Sequence, residues 1–311
     1  MKAARFHQLG GPEVLRVDEV EVPEPGEGQV RIRVAGAGFN PADGGIRGGT
    51  LPFPVALPHT PGYDVAGTID ALGVGVDGLA IGDSVIGFLS MTDDGADAEY
   101  VVAPADLLVA APAAGDLADA AALPSVALTA WQALFDVAGL QKGQRILIVG
   151  AGGTVGEYAV QLAKHAGAFV IATASPRSRA AVEAAGADEV VDHTAGSVRD
   201  GVGAPVDVLL NLAPIEPEEF AALVSLVSDG GFVVSSTAWM PTPGDEGRGV
   251  RGETVYVRSD PGQLAHLVTL VDDGSLRVVA SRRVGLEEVA SVHAAAAAGT
   301  LRGKVVIVPS A

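Results

Sequence analysis

The sequence predicts an α/β protein of two domains, one of them a doubly wound parallel sheet. Three observations carry this. Strand-like and helix-like segments alternate from residue 145 to residue 235. The first of those strands, Arg145-Ile146-Leu147-Ile148-Val149, is continuously apolar, as in a sheet covered on both faces. The chain has 311 residues, 48% of them hydrophobic, and a single core stops growing at roughly 250–300 residues.

Residues 1–115 read as β-rich. Val14 to Val22 and Val30 to Val34 alternate apolar and polar residues, and Val65 to Ile69 and Ser84 to Phe88 are further strands divided by the turn Gly82-Asp83. Near residue 116 the pattern turns helical, over Ala118 to Leu123 and Val126 to Val137. After the strand at 145–149 come a helix at Val155 to His165, a strand at Phe169 to Thr173, a helix at Arg179 to Ala185 and a strand at Glu189 to Val191. Strands at Val206 to Leu210 and Phe232 to Ser235 follow, with a helix at Pro217 to Val227 between them. The spacing then predicts a strand at Thr254 to Val257, helices at Gln263 to Asp272 and Leu286 to Ala297, and a last strand at Lys304 to Val308.

Composition excludes several function classes. The formal net charge of −18 repels phosphate backbones and anionic lipid, so neither nucleic acid nor a membrane is an expected partner. The sequence shows no apolar run long enough to span a bilayer and no signal-peptide pattern at its start, so a cytoplasmic location is the expectation. The absence of cysteine rules out thiolate catalysis, iron–sulfur clusters and thiolate-bound zinc. The six histidines are scattered, and no metal site is expected.

The apolar strand runs into Gly150-Ala151-Gly152-Gly153-Thr154-Val155-Gly156, and a helix starts inside this turn. Free N–H groups at a helix start attract phosphate, and glycines let a pyrophosphate approach the backbone. The next strand ends in Thr173-Ala174-Ser175-Pro176-Arg177-Ser178-Arg179, without the acid that binds a ribose 2′-hydroxyl. Hydroxyls and two arginines suit a 2′-phosphate instead, so NADPH is the expected cofactor. Ser175, Arg177 and Arg179 are its candidate ligands, although either arginine can equally be solvated helix-start charge.

Several further segments resemble one family over the whole chain: the medium-chain dehydrogenase/reductases, in their zinc-independent quinone oxidoreductase branch. They are Gly36-Ala37-Gly38-Phe39-Asn40-Pro41-Ala42-Asp43, Pro61-Gly62-Tyr63-Asp64-Val65-Ala66-Gly67, Gly82-Asp83-Ser84-Val85, Ala121-Ala122-Leu123-Pro124 with Leu128-Thr129-Ala130-Trp131, Ala159-Val160-Gln161-Leu162-Ala163-Lys164 and Gly303-Lys304-Val305-Val306. The resemblance implies a GroES-like substrate domain over residues 1–118, completed by 259–311, and a Rossmann NADP(H)-binding domain over 119–258, with a cleft between them. It also implies a homodimer. In the zinc-binding branch a cysteine ligand stands at Asn40 and a His-Glu pair at Tyr63-Asp64, so the zinc ligands are replaced here.

The activity implied is hydride transfer from NADPH to a quinone or α,β-unsaturated carbonyl. The resemblance places Asn40 and Thr129 beside the nicotinamide or the acceptor carbonyl, and Gly152, Gly153, Val155 and Gly156 at the pyrophosphate. Asn40 can alternatively cap the helix starting at Pro41, and Thr129 can bond back to its own helix. Tyrosines that relatives carry at positions 45 and 51 are Gly45 and Leu51 here, which opens the question of the proton donor. Tyr63 is a candidate donor or a packing residue. His59 is a weaker candidate for a proton shuttle, and Asp64 is expected to be structural, paired with a basic group. Trp239 and Met240 either line the substrate pocket or pack in the core. Two alternatives accompany this reading: a tailoring reductase for one bulky, polyketide-like enone, and an NADPH-binding sensor without turnover.

Overall fold

A computed structural model describes residues 1–237 and 239–309. The chain forms two compact units, Met1–Ser125 with Ser259–Ala311, and Val126–Arg258. The first unit opens with β1 (Lys2–Phe6) and β2 (Leu15–Glu19), an antiparallel pair. It continues through β3 (Gln29–Gly38), α1 (Pro41–Gly48), β4 (Asp64–Leu72), β5 (Ser84–Phe88), β6 (Tyr100–Pro104) and β7 (Leu108–Ala110). Helix α2 (Pro124–Trp131) leads into the second unit. There β8 (Arg145–Val149), α3 (Thr154–His165), β9 (Phe169–Ala174), α4 (Arg179–Ala184), β10 (Glu189–Asp192), β11 (Val206–Asn211), α5 (Pro217–Leu223), β12 (Val227–Ser235) and β13 (Arg251–Thr254) follow. The chain returns to the first unit with α6 (Pro261–Asp272), β14 (Arg282–Val284), α7 (Val289–Ala297) and β15 (Val305–Ile307).

The first unit is built on a sheet ordered β14-β15-β3-β4-β5-β7, with β6 paired to the start of β3 and β15 to its end. Along β3, Val30, Ile32 and Val34 are buried, the period of two that a half-buried strand requires. At the end of β3 the backbone of residues 118–121 presses onto the sheet: a Cβ on Gly36 would meet the Ala118 carbonyl, and one on Gly38 the Ala121 carbonyl. This contact holds residues 118–121 against the sheet of the first unit.

The second unit is a six-stranded parallel sheet ordered β10-β9-β8-β11-β12-β13. The order reverses between β8 and β11, the switch point at which such sheets bind ligands. Its exit is pinned by Gln132, whose amide accepts from Arg258 N at 3.0 Å and donates to Arg258 O at 2.9 Å.

Three expectations change. Strands β1, β6, β7 and β14 are not among the expected elements; β7 and β14, three residues each, are too short to show a period. The last Rossmann strand spans 251–254, not 254–257, because Gly252, which has no side chain, fits against the Pro243 carbonyl; Tyr256 lies beyond the sheet, 73% exposed. The helical stretch Asp119–Val137 does have the length and mean hydropathy (1.2) of a membrane span, but 72% of it is buried within the protein, so its apolar surface serves the interior.

Gly38→Ala drives a methyl into a backbone carbonyl and should lower stability by about 1–3 kcal/mol. Gly44, inside α1, has nothing within 4 Å of an added Cβ, so Gly44→Ala should raise stability by about 0.4–1 kcal/mol. Denaturant unfolding of the two variants checks both signs.

Candidate active site

In the first unit the chemistry gathers around Asp64, the first residue of β4, which is fully buried. Its Oδ1 accepts from the Ser125 backbone N–H at 2.8 Å, so the carboxylate faces the first turn of α2, where unpaired N–H groups favour an anion. Its Oδ2 accepts from Ser125 Oγ (2.7 Å), Asn40 Nδ2 (2.8 Å) and Lys304 Nζ (3.0 Å). Lys304 is 2% exposed, and its ammonium also donates to Asn40 Oδ1 at 2.7 Å. A cation therefore already bonds two of the positions at which the resemblance places zinc ligands.

This network redefines Asn40. The amide donates to Gly38 O (3.0 Å) and to Asp64, and its oxygen accepts from Lys304 and, at 3.3 Å, from Ser125 Oγ. With both N–H bonds used, Asn40 has no donor for an acceptor carbonyl in this structure. Asn40 does stand at the N-cap of α1, but the capping bond runs the other way: Asp43 Oδ2 accepts from Asn40 N at 2.8 Å.

Beside this network runs the segment 59–63. Gly62, at φ +97°, donates its N–H to Asp43 Oδ1 at 3.1 Å, and Asp97 Oδ1 lies against its Cα without a hydrogen-bond partner. Both carboxyls are buried. Burial pushes Asp43 up to about 7, against two backbone N–H bonds that pull the other way. Asp97 is pushed well above the carboxylate range by burial and then by Asp43. Tyr63 is 5% exposed, with its ring tilted on Phe88 at 5.4 Å. Its hydroxyl bonds no group among the described residues. Burial, then the charges of Asp43 and Asp64, hold the phenol well above its ordinary range, which keeps it a donor. Tyr63, Asp43, His59, Thr60 and Met91 line one small pocket. His59 is buried rather than on the surface; its ring packs edge-on to Phe6 at 5.3 Å, and burial lowers its pKa.

Gly45 and Leu51 meet each other. A Cβ on Gly45 would lie 2.8 Å from Leu51 Cγ, so the leucine occupies the space beside the glycine.

In the second unit, β8 delivers the chain to Gly150 at φ +84°, a conformation that favours glycine. Gly150 N donates to Thr173 Oγ1 at 2.9 Å, tying the turn to β9, and Gly153 N closes the turn on Gly150 O at 3.0 Å. A Cβ on Gly156 would strike Ala151 and the Gly150 carbonyl, so that glycine lets α3 start against the turn. The N–H groups of Thr154, Val155 and Gly156 head the helix and lack intrahelical acceptors. The carboxyl ends of the neighbouring strands are polar and buried: Thr173 on β9, Asn211 on β11, Ser235 and Thr237 at β12. Asn211 Nδ2 is a buried donor without a partner. An orphaned donor beside a glycine turn and an open helix start fits a dinucleotide.

Past β9, Arg177 is exposed and makes no ion pair or hydrogen bond among the described residues. Arg179 is tied to Glu183 (3.1 Å) and to the Val190 carbonyl (3.2 Å), and Ser175 Oγ lies 3.3 Å from Ser178 Oγ. Thr129 is half-buried on α2. Met240 packs against the apolar core of the second unit, and Trp239 is 69% exposed. Lys304, Ser125, Asp43, Asp97 and Asn211 are the residues that sequence reasoning left without a role. Lys304 and Asp43 had a signal, their places in the Gly303-Lys304-Val305-Val306 and Gly36 to Asp43 motifs.

Comparison with known proteins agrees with this architecture. Residues 26–113 match the alcohol dehydrogenase GroES-like domain family, and residues 185–307 match the zinc-binding dehydrogenase family. A chloroplast envelope quinone oxidoreductase homolog from Arabidopsis thaliana is 32% identical, over 99% of this chain and 98% of that protein. The quinone oxidoreductase from Coxiella burnetii superposes with a TM-score of 0.89 at 31% identity, over 100% of this chain and 99% of that one. A structure described as an NAD-dependent alcohol dehydrogenase has the same TM-score of 0.89 and 31% identity, with 100% of each chain covered.

Lys304→Met leaves the Asp64 carboxylate buried without its cation and should destabilise the protein by about 3–5 kcal/mol, whereas Lys304→Met with Asp64→Leu should recover most of the loss; thermal melts of the three proteins test this. Because the Asp97 pKa is raised in the folded state, the stability tied to its neutral form is full below the unfolded value and is lost as pH rises. Asp97→Asn should therefore melt close to the parent at or below about pH 4 and progressively above it as pH rises towards about pH 7; a constant difference would contradict the assignment.

Proposed function

We propose that this chain, which belongs to the medium-chain dehydrogenase/reductase superfamily and is quinone-oxidoreductase-like, is an oxidoreductase that uses NADPH, without zinc, to reduce a quinone or α,β-unsaturated carbonyl. The observation that carries the zinc-free reading is the Lys304 ammonium bonded to Asn40 and Asp64. A second cation on those ligands would meet a fixed positive charge, and no cysteine exists to replace them. An acceptor that delocalises its own developing charge needs no Lewis acid, and quinones and enones do so.

Bound on the Gly150–Gly156 turn, the cofactor supplies a hydride. The N–H groups of Thr154, Val155 and Gly156 would hold the pyrophosphate. Arg177 is the free cation for a 2′-phosphate, with Ser175 beside it. Arg179 would first have to leave Glu183. Asp192, in register with Ala174 at the end of β9, is an acid near this site, and its Oδ1 accepts from Thr194 N and Oγ1. The preference for NADPH rests on Arg177 and Ser175.

On the substrate side, Tyr63 is the group with an uncommitted hydroxyl, and it would donate a hydrogen bond or proton to the acceptor oxygen. Asn40 holds Asp64 and Lys304 in place rather than touching the acceptor. The acceptor gains a hydride at carbon and a proton from Tyr63 or water, a two-electron reduction matched by oxidation of NADPH to NADP+. A homodimer, with the outer edge of β13 at the end of the second unit's sheet as the pairing edge, is part of the same proposal, as is a cytoplasmic location.

The purified protein should oxidise NADPH with members of a panel of simple quinones and enones; no turnover on any of them would contradict the reading. Arg177→Ala should raise KM for NADPH about tenfold and leave KM for NADH unchanged, since one charge-assisted phosphate contact is worth about 1.5–3 kcal/mol at most. Tyr63→Phe should lower kcat about tenfold or more at near-constant NADPH affinity.

A further inference from the structure

We propose that Asn211 is a cofactor-binding residue whose side-chain amide donates to an oxygen of the nicotinamide-nucleoside half of the dinucleotide. The inference rests on the NADPH reading above and assigns a contact that reading does not contain. Asn211 is the last residue of β11 and is 0% exposed. It lies in register with Val149 of β8 on one side and Ser235 of β12 on the other, at the point where the strand order reverses. Its main-chain oxygen accepts from Ser236 N at 3.1 Å, and its Oδ1 accepts from Ala213 N at 3.2 Å. The second bond fixes which end of the amide is oxygen and turns the group towards the loop beyond the strand. That loop lies against Gly150: a Cβ there would come within 3.0 Å of Ala213 N. The side-chain amide is thus tied to the loop that lies against the glycine turn, and its Nδ2 is a buried donor with no acceptor among the described residues. Such groups are rare in folded proteins, and one at the carboxyl end of a strand beside the glycine turn is accounted for by a ligand that supplies the missing partner.

The strand order identifies which half of the ligand this is. Ser175 and Arg177 follow β9, on one side of β8, and the pyrophosphate cradle follows β8 itself. Asn211 ends β11, on the opposite side of β8 from β9. A dinucleotide with its 2′-phosphate at Arg177 and its pyrophosphate at the turn extends its other nucleoside over β11. That nucleoside offers ribose hydroxyls and a carboxamide oxygen, all able to accept from Nδ2.

The test compares two probes, NADPH and 2′,5′-ADP, the latter carrying the adenosine and the 2′-phosphate but no nicotinamide nucleoside. Asn211→Leu should weaken NADPH binding about fivefold to tenfold, the ratio expected of one hydrogen bond, and leave 2′,5′-ADP affinity within about twofold. In the 15N-labelled parent protein, the Asn211 side-chain amide resonances should shift on adding NADPH and stay in place with 2′,5′-ADP, a readout that does not depend on the variant folding. Unchanged NADPH affinity in the variant, equal weakening of both probes, or amide resonances indifferent to NADPH would overturn the assignment. A parent protein that binds neither probe would instead overturn the cofactor reading itself.

Discussion

The first unit depends on one buried ion pair. Lys304 and Asp64 lie 240 positions apart in sequence, and their side chains meet with almost no exposure. Isolated charges in such a place would be strongly unfavourable, and their mutual attraction offsets desolvation only when the remaining hydrogen-bonding capacity is filled. Here it is filled: Asp64 takes four hydrogen bonds, two of them from the first turn of α2, and Asn40 bridges the carboxylate and the ammonium. The pair joins the last strand of the chain to β4 and to the start of α2. It thereby fixes the frame in which Tyr63, adjacent to Asp64, presents its hydroxyl.

The second unit follows a different logic. Its inner strands β8, β9 and β11 are mostly apolar along their lengths, and the carboxyl ends around the switch point are polar, where Thr173, Asn211, Ser235 and Thr237 are buried. Apolar residues hold the sheet between its helices, while the polar ends and the glycine turn form a concave edge made for hydrogen-bonding ligands. Glycine acts there through close approach: Gly150 and Gly156 let the turn, the loop after β11 and the start of α3 occupy nearly the same space. The uncommitted donors at this edge, the helix-start N–H groups and Asn211 Nδ2, are what the cofactor would satisfy.

The parts of this account that were legible in the sequence are those governed by local chemistry. Strands β5 and β8 can be read to the residue, because each is an apolar run bounded by turn residues. The glycine turn is equally plain. The short strands β7 and β14, three residues each, have no periodicity to detect. The role of Asn40 was not legible either. An asparagine where relatives carry a metal ligand suggests contact with substrate, but its hydrogen bonds are set by a lysine near the other end of the chain. The same applies to Asp97, an unremarkable acid in a loop until its burial against Gly62 is seen.

Under the proposed function, the Lys304 ammonium bonded to Asn40 and Asp64 takes the place of a metal, and hydride transfer would proceed without one. The most direct measurement is NADPH oxidation by a quinone or enone acceptor, using protein stripped with a strong chelator and checked for residual metal. The account predicts the same kcat before and after stripping, and no gain on adding zinc. Loss of turnover on stripping, restored by zinc, would contradict it.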